Sequence, residues 1–273
     1  MYPTTYPAFT LRSGRREDIP ALFRIWRSCF ADPPEYIRFF LENRYRPEQN
    51  LVLLHHLEPV GALYLLPCRY IGHTCVDAWY GYALGILPQF RGLGLAKEMN
   101  MVVWNQVGKN HQMYLLTPAN EKLQTYYYST GFEPCAYRKT AVYTQRSGRA
   151  MQLQPVTPAE YLRLREEMLA GLPHICWDEA AIAFAIREAE FCGGFAVRLG
   201  NHACIGRLEG DTLIVQESTA PPEEAREFAA DLLSAYPASA CVMSLPGTAE
   251  DALVGMSMAG CIPSGCYLNL ILD

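Results

Sequence analysis

The sequence predicts a mixed α/β protein built as two successive units of related plan. Three observations carry that reading. Apolar runs of strand length alternate with stretches of helical periodicity along the 273 residues. A polar, turn-rich stretch, Gln145-Arg146-Ser147-Gly148-Arg149, interrupts them near the middle, and the order of elements then restarts. The halves also share punctuation. Pro118 follows a strand and precedes Gly131-Phe132-Glu133-Pro134 by 13 residues, while Pro246 follows a strand and precedes Gly260-Cys261-Ile262-Pro263 by 14. The expected units are 1–145 and 151–273.

Taken in order, residues 10–12 read as an opening strand. From Glu17 to Phe30, Ile19, Leu22, Phe23, Ile25, Trp26 and Phe30 recur at helical spacing, and Pro20 falls in the first turn, where its missing N–H is tolerated. A second helix runs from Pro34 to Asn43. Leu51–His55 and Gly61–Leu66 are strands, with Glu58-Pro59 as the expected hairpin turn. Ala78 to Leu87 is a strand closed by Pro88, Gly94 to Val107 a helix, and Tyr114–Thr117 a buried strand. A helix joining two strands is what a parallel pair requires. Asn120–Ser129 is a helix and Ala136–Thr144 a strand. Beyond the linker come a strand at Met151–Pro155, helices at Pro158–Leu169 and Glu179–Phe191, and strands at Phe195–Arg198, Ala203–Gly206 and Leu213–Gln216. A helix at Pro222–Ala235, a strand at Cys241–Leu245, a helix at Ala249–Met258 and a last strand at Tyr267–Leu272 complete the chain.

Half of the residues are hydrophobic and 19% are charged, a folded rather than disordered composition. A net charge of −5 gives no general pull toward nucleic acid or anionic membranes, so any bound anion must be held locally. The ten cysteines contain no C-x-x-C and no zinc-finger spacing, and most lie in apolar runs, as buried free thiols do. No metal site is expected. There is no signal peptide pattern and no apolar run long enough to span a bilayer, so the expected setting is a reducing cytoplasm.

The chemistry concentrates where the strand Tyr82-Ala83-Leu84-Gly85-Ile86-Leu87-Pro88 runs into Gln89-Phe90-Arg91-Gly92-Leu93-Gly94 and a helix. Two close glycines let successive backbone N–H groups converge on one concave spot. The helix N-terminus adds partial positive charge and Arg91 a full one, which together suit a pyrophosphate. The spacing is neither that of a P-loop nor G-x-G-x-x-G.

Gln89-x-x-Gly92-x-Gly94, after an apolar strand and Pro88, resembles the acetyl-CoA signature of the GNAT N-acetyltransferase superfamily. Asn120, with Tyr127 seven residues on and Gly131-Phe132 four beyond that, is similar to that superfamily's second motif. The match covers residues 10–145 and implies an N-acetyltransferase using acetyl-CoA as co-substrate. The acceptor would be a primary amine on a small molecule or peptide, attacking directly through a tetrahedral intermediate. The resemblance implies that the backbone of Leu84 and Ile86 pairs with the pantetheine arm of acetyl-CoA, on a strand that splays or bulges there. The Ile86 N–H would stabilise the oxyanion. Arg91, Gly92, Leu93, Gly94, Leu95 and Ala96 would hold the pyrophosphate, and Asn120 the pantetheine. Tyr127 would protonate the departing thiolate. The rival role for Tyr127 is a core aromatic, and the rival for the whole chain is a non-catalytic acyl-CoA-binding or regulatory module.

The second half has Gln216-Glu217-Ser218-Thr219-Ala220-Pro221-Pro222-Glu223-Glu224 where the first has its cradle. Prolines remove donors and carboxylates repel phosphate, so this half reads as a degenerate copy without a cofactor site. Met256 stands where Tyr127 would be. The tandem plan resembles the Eis-type acetyltransferases and, more distantly, N-myristoyltransferases, without a third, sterol-carrier-like domain. In those relatives a terminal carboxylate accepts the amine's proton, which would assign Asp273 that part. Asp77, His55, His56 and His111 are the other bases the sequence offers. Tyr36, Trp79, Tyr80 and Tyr82 are either core or an aromatic lining for a cationic acceptor.

Overall fold

The computed structural model describes residues 2–270 apart from Thr5, Pro7 and Ala150. A short strand β1 (Tyr2–Pro3) pairs antiparallel with β2 (Phe9–Ser13). Helix α1 (Ile19–Cys29) buries Ala21, Leu22, Ile25 and Trp26, the apolar stripe foreseen from its spacing, and α2 (Pro34–Asn43) opens on proline as expected. Strands β3 (Asn50–His55) and β4 (Glu58–Ile71) form a hairpin. Its turn is His56-Leu57, not Glu58-Pro59. Both turn residues take positive φ, 46° and 75°, the geometry that matches strand twist in a two-residue loop. Pro59 sits in the strand instead, opposite Leu54 and next to a register shift that leaves Val60 as the extra residue.

Strand β5 (Cys75–Ile86), helix α3 (Leu95–Lys109) and strand β6 (Met113–Leu116) form the parallel crossover. Helix α4 (Glu121–Ser129) starts on Asn120, whose side chain accepts from the Leu123 N–H at 3.0 Å, and β7 (Phe132–Tyr143) follows.

After the linker, only Gln154–Pro155 form a strand, β8. Met151 and Leu153 pack their side chains against a buried cluster without pairing their backbones, so the expected strand at Met151–Pro155 is shorter. Helix α5 (Pro158–Met168) is capped by Thr157. A three-residue strand β9 (His174–Cys176), unforeseen, precedes α6 (Glu179–Phe191), capped by Asp178. The antiparallel β10 (Phe195–Leu199), β11 (His202–Glu209) and β12 (Thr212–Ser218) lead to α7 (Ala225–Ala235) and β13 (Ala240–Pro246), which is parallel to β12.

Two expectations fail at the end of the chain. The stretch Ala249–Met258 is no helix. Ala252–Met258 forms strand β14, in which five consecutive residues, Val254–Met258, are buried. A short apolar run of this kind cannot be told from a buried helix by periodicity. The Asp251 carboxylate accepts from the Thr248 N–H at 2.8 Å and closes a turn where a helix was expected to start. A Cβ on Gly255 would stand 2.8 Å from Leu268 Cδ2 and 2.9 Å from Ala136 Cβ, so the strand passes too closely for a side chain. Met256 is therefore no helical counterpart of Tyr127. The last strand, Tyr267–Leu272, is also absent among the described residues. Cys266 and Tyr267 make isolated bridges to Ala136 and His174, and Leu270 turns away with φ 55°.

The chain divides into two compact units: Met1–Cys68, Val76–Glu133 and Met256–Cys261 form one, and Arg69–Cys75, Pro134–Gly255 and Ile262–Asp273 the other. In the first, the edge of β6 is covered by β14, with Met256 opposite Leu116 and Ser257 opposite Leu115. The two motif glycines meet there, since the Ala259 N–H donates to the Gly131 carbonyl at 2.8 Å beside Gly260. In the second unit, β9 pairs with the far end of β4, Arg69 opposite Cys176, and β13 pairs with β7. Its core lies under α7, where Phe228, Leu232 and Leu233 meet Leu213, Val215, Cys241 and Met243. The ten cysteines are free thiols. Among the described residues no helix is long and apolar enough to cross a membrane.

Candidate active site

Strands β5 and β6 pair in parallel from Ala78–Met113 to Gly81–Leu116, and there β6 stops. Strand β5 continues for five residues, to Ile86, past its last pair with β6. Buried and open residues no longer alternate here: Gly81, Tyr82, Ala83 and Leu84 are all half-buried. Ala83 takes φ 48°, a conformation costly for a residue with a Cβ, so the strand bulges at this point. The loops leaving β5 and β6 emerge from the same end of the parallel pair. The crevice beyond diverging carboxyl ends of parallel strands is where α/β sheets bind ligands. The Gly92–Gly94 loop and Asn120 both follow strands that leave from that end of the pair.

A Cβ built on Gly81 would lie 2.6 Å from the Tyr114 hydroxyl, so the Tyr114 side chain, opposite Trp79 in register, reaches over the last paired residue of β5. Its hydroxyl donates to Asn100 Oδ1 at 2.7 Å, both groups fully buried, which ties β6 to α3 at the apex of the splay. Nothing in the sequence marked this pair. On the other side of β5, helix α1 ends on Cys29, whose thiol donates to the Ile86 carbonyl at 3.4 Å. A Cβ on Gly85 would be 3.1 Å from that sulfur, so glycine lets the helix end approach the strand.

The cradle itself is open. Pro88–Phe90 make a 3-10 turn, and Gly92 and Gly94 take φ 81° and 75°. A Cβ at either would meet nothing within 4 Å. The glycines are thus required by backbone conformation, and the space above them is free. Gly94 caps α3 without any side chain bonding the first-turn N–H groups, so the donors of Leu95, Ala96 and Lys97 are left for a ligand. Arg91 is exposed, and its Nε donates to the Ile86 carbonyl at 2.8 Å, which holds the guanidinium between strand end and loop. Exposed Leu93 stands at the loop's crest.

Tyr127 is the one buried residue of α4, with ring centroids 5.3 Å from Tyr126 and 5.2 Å from Phe132. Burial, with a smaller contribution from Tyr126, pushes its phenol well above the ordinary tyrosine range, so it is protonated at neutral pH. Among the described residues nothing hydrogen-bonds its hydroxyl. The remaining bases offered by the sequence are spread over strand ends and turns. His55 packs with its ring tilted against both Phe9 and Phe90, His56 and His111 occupy positive-φ turns, and Asp77 is exposed near the start of β5. Asp273 lies outside the described residues. Of the four aromatics, Tyr36 and Tyr82 meet, hydroxyl to hydroxyl at 3.3 Å, with Trp26 against both rings. Tyr80 is core, and Trp79 points its Nε1 to Gln112 Oε1 at 3.1 Å.

Residues 10–135 match the family model of the acetyltransferase (GNAT) domain. Among solved structures, the GCN5-related N-acetyltransferase of Kribbella flavida is similar over 91% of this chain and 70% of its own, with TM-score 0.70 and 16% identity. That of Anabaena variabilis matches over 91% and 72%, with TM-score 0.71 and 15% identity. Eis1 of Mycobacterium abscessus matches over 86% and 65%, with TM-score 0.66 and 12% identity. A search of curated proteins gave no match.

Proposed function

We propose that residues 10–135, which match the acetyltransferase (GNAT) domain model, work as such a domain, and that the chain moves an acetyl group from acetyl-CoA to a primary amine of a small molecule or peptide. The observation that supports this most is the uncapped N-terminus of α3 behind two positive-φ glycines, at the end of a strand that has lost its neighbour. That arrangement suits a pyrophosphate joined to an extended amide-bearing arm.

The backbone N–H groups from Arg91 to Ala96 would hold the pyrophosphate, and the bulged edge at Leu84 and Ile86 would pair with the pantetheine. The Ile86 N–H would polarise the acetyl carbonyl. Asn120 spends its Oδ1 on the helix cap, which leaves its amide N–H groups to reach the pantetheine. Tyr127, kept protonated by burial, would supply the proton that the leaving thiolate takes.

The catalytic part is assigned to residues 1–145, and 151–273 to a degenerate copy without a cofactor site. Asp273 is proposed as the acceptor of the amine's proton. Support comes from the segment leading to it, which is tied down by Trp177 Nε1 on the Asn269 carbonyl at 2.8 Å and by Asn269 Nδ2 on the Gln216 carbonyl at 2.6 Å.

The decisive experiment is release of free CoA by the purified chain with aminoglycosides, polyamines, amino acids and peptide N-termini. Turnover with one class is expected. Tight acetyl-CoA binding with no turnover on any amine would replace this reading with a non-catalytic acyl-CoA-binding module. Deleting Leu272 and Asp273 should lower kcat/KM and leave acetyl-CoA affinity unchanged. Full activity of that variant would remove Asp273 from the reaction.

A further inference from the structure

A second concave feature lies in the first unit, on the outer side of α1 and α2. It is a cavity of about 620 Å³, within the range of small-molecule sites. Its floor is apolar, formed by Ile19, Phe23, Leu41 and Tyr45, and its rim carries Arg16, Arg38 and Arg46 against the one carboxylate of Glu42. Among the described residues none of these three arginines makes an ion pair. The nearest buried acid, Asp18, is already taken by Arg12 at 2.7 and 2.8 Å.

Two of the cations are positioned before any ligand arrives. The Arg38 guanidinium lies 5.3 Å from the centre of the Phe23 ring, and Arg46 Nη1 donates to the Tyr45 carbonyl at 2.8 Å. Tyr45 is fixed in turn, since its hydroxyl donates to the Arg15 carbonyl at 2.9 Å. The cavity is separate from the cradle. It opens beside the start of α1, whereas the end of α1 carries the Cys29 contact to Ile86, and the ten residues between span about 15 Å of helix.

We propose that this cavity binds a small amphipathic carboxylate, its apolar body on the Ile19–Phe23–Leu41 floor and its head group among the arginines. Guanidinium forks match a carboxylate in two parallel hydrogen bonds, and three unpaired forks around one apolar floor fit a ligand with both features. A bare anion would leave the floor wet, and an uncharged apolar molecule would leave the arginines unmatched.

The test is calorimetric titration of the full chain with decanoate, decanol and inorganic phosphate. Saturable one-site binding of decanoate is expected, with decanol and phosphate each at least about tenfold weaker because one half of the recognition is lost. Arg38→Glu and Arg46→Glu, both at exposed positions, should each weaken decanoate about tenfold or more and leave acetyl-CoA affinity unchanged. Phe23→Ala should weaken it without altering the charge. Decanol binding as tightly as decanoate would overturn the proposal, and so would decanoate affinity that both charge reversals leave intact. A fall in solution mass on Arg38→Glu would show instead that a second copy of the chain covers the cavity, which would also overturn it.

Discussion

The turn after β5 and the turn after β12 stand at equivalent points of two similar successions of elements, and they are opposites. Both strands lie in parallel pairs and both lead into a helix, but β5 outruns β6, whereas β12 and β13 each run three residues past their last pair. After β5 the chain leaves space: two glycines at positive φ, an uncapped helix and exposed loop residues. After β12 the chain fills that space with itself. Glu217 is fully buried and accepts from Arg165 Nε at 3.1 Å and from the Tyr267 and Tyr161 hydroxyls at 3.0 and 3.2 Å. Ser218, Thr219 and Ala220 are buried behind it, and Thr219 exchanges hydrogen bonds with Ala203. An open turn with free donors and a structural plug thus differ by a few residues at matching points of the chain. What the first turn keeps is unsatisfied donors, and what the second has gained is its own carboxylate.

The sharpest way to break this comparison is to put a carboxylate into the open turn. Gly94→Glu should abolish measurable acetyl-CoA binding in calorimetry, since charge and bulk would enter the space above the loop. Gly210→Glu, at another positive-φ glycine with open surroundings, controls for backbone strain and should leave affinity unchanged. A folded Gly94→Glu chain of ordinary affinity would end the cradle assignment.

Next in size is Tyr127→Phe, expected to lower kcat by about 10²–10⁴-fold with little change in acetyl-CoA affinity. Because burial raises this phenol's pKa, it stays protonated through neutral pH. The acid needed by the leaving group is therefore not lost as pH climbs to the ordinary tyrosine range near 10. A wild-type kcat profile that falls near pH 10 or below, with the fall absent in Tyr127→Phe, would show a group that burial has not raised.

On the closed side, Glu217→Ala leaves the buried Arg165 with Glu166 as its one carboxylate, at 3.0 Å, and should destabilise the chain by up to about 3 kcal/mol in denaturant unfolding. Replacing both Arg165 and Glu217 by Met should cost far less. Acetyl-CoA affinity should be untouched in each, because the chain's own side chains fill this turn. The smallest effect is at Asn120. Asn120→Ala loses the cap and about 1 kcal/mol, whereas Asn120→Asp keeps the cap and removes only the amide donor. A raised KM for acetyl-CoA with Asp at unchanged stability would separate the two roles.

The sequence was most legible where one residue type has one physical use. Gly92 and Gly94 announced the left-handed turn, and Asn120, Thr157 and Asp178 stood at or near helix starts. The amphipathic spacing of Leu22, Ile25 and Trp26 revealed α1. It was least legible where long-range pairing decides. Val254–Met258 can be helix or strand until β6 offers an edge, and Tyr267–Leu272 looked like a strand until side chains of Tyr267 and Asn269 were tied to Glu217 and Gln216. Ala83 gave no local sign of its bulge, since alanine has no preference for that conformation. The Asn100–Tyr114 bond joins residues whose patterns belong to two separate elements.

Residues 256–261 belong to the unit that otherwise ends at Glu133, so 122 residues separate its last two pieces along the chain. A ribosome delivers the chain from its N-terminus, and domains commonly fold as they emerge. This one has to wait. Until Met256 and Ser257 are made, Leu115 and Leu116 end a sheet with a bare edge, the kind that recruits a neighbouring nascent chain. Synthesis halted between the two halves would thus leave an adhesive intermediate rather than a smaller version of the fold, and gene fragments encoding the first half alone should yield aggregate.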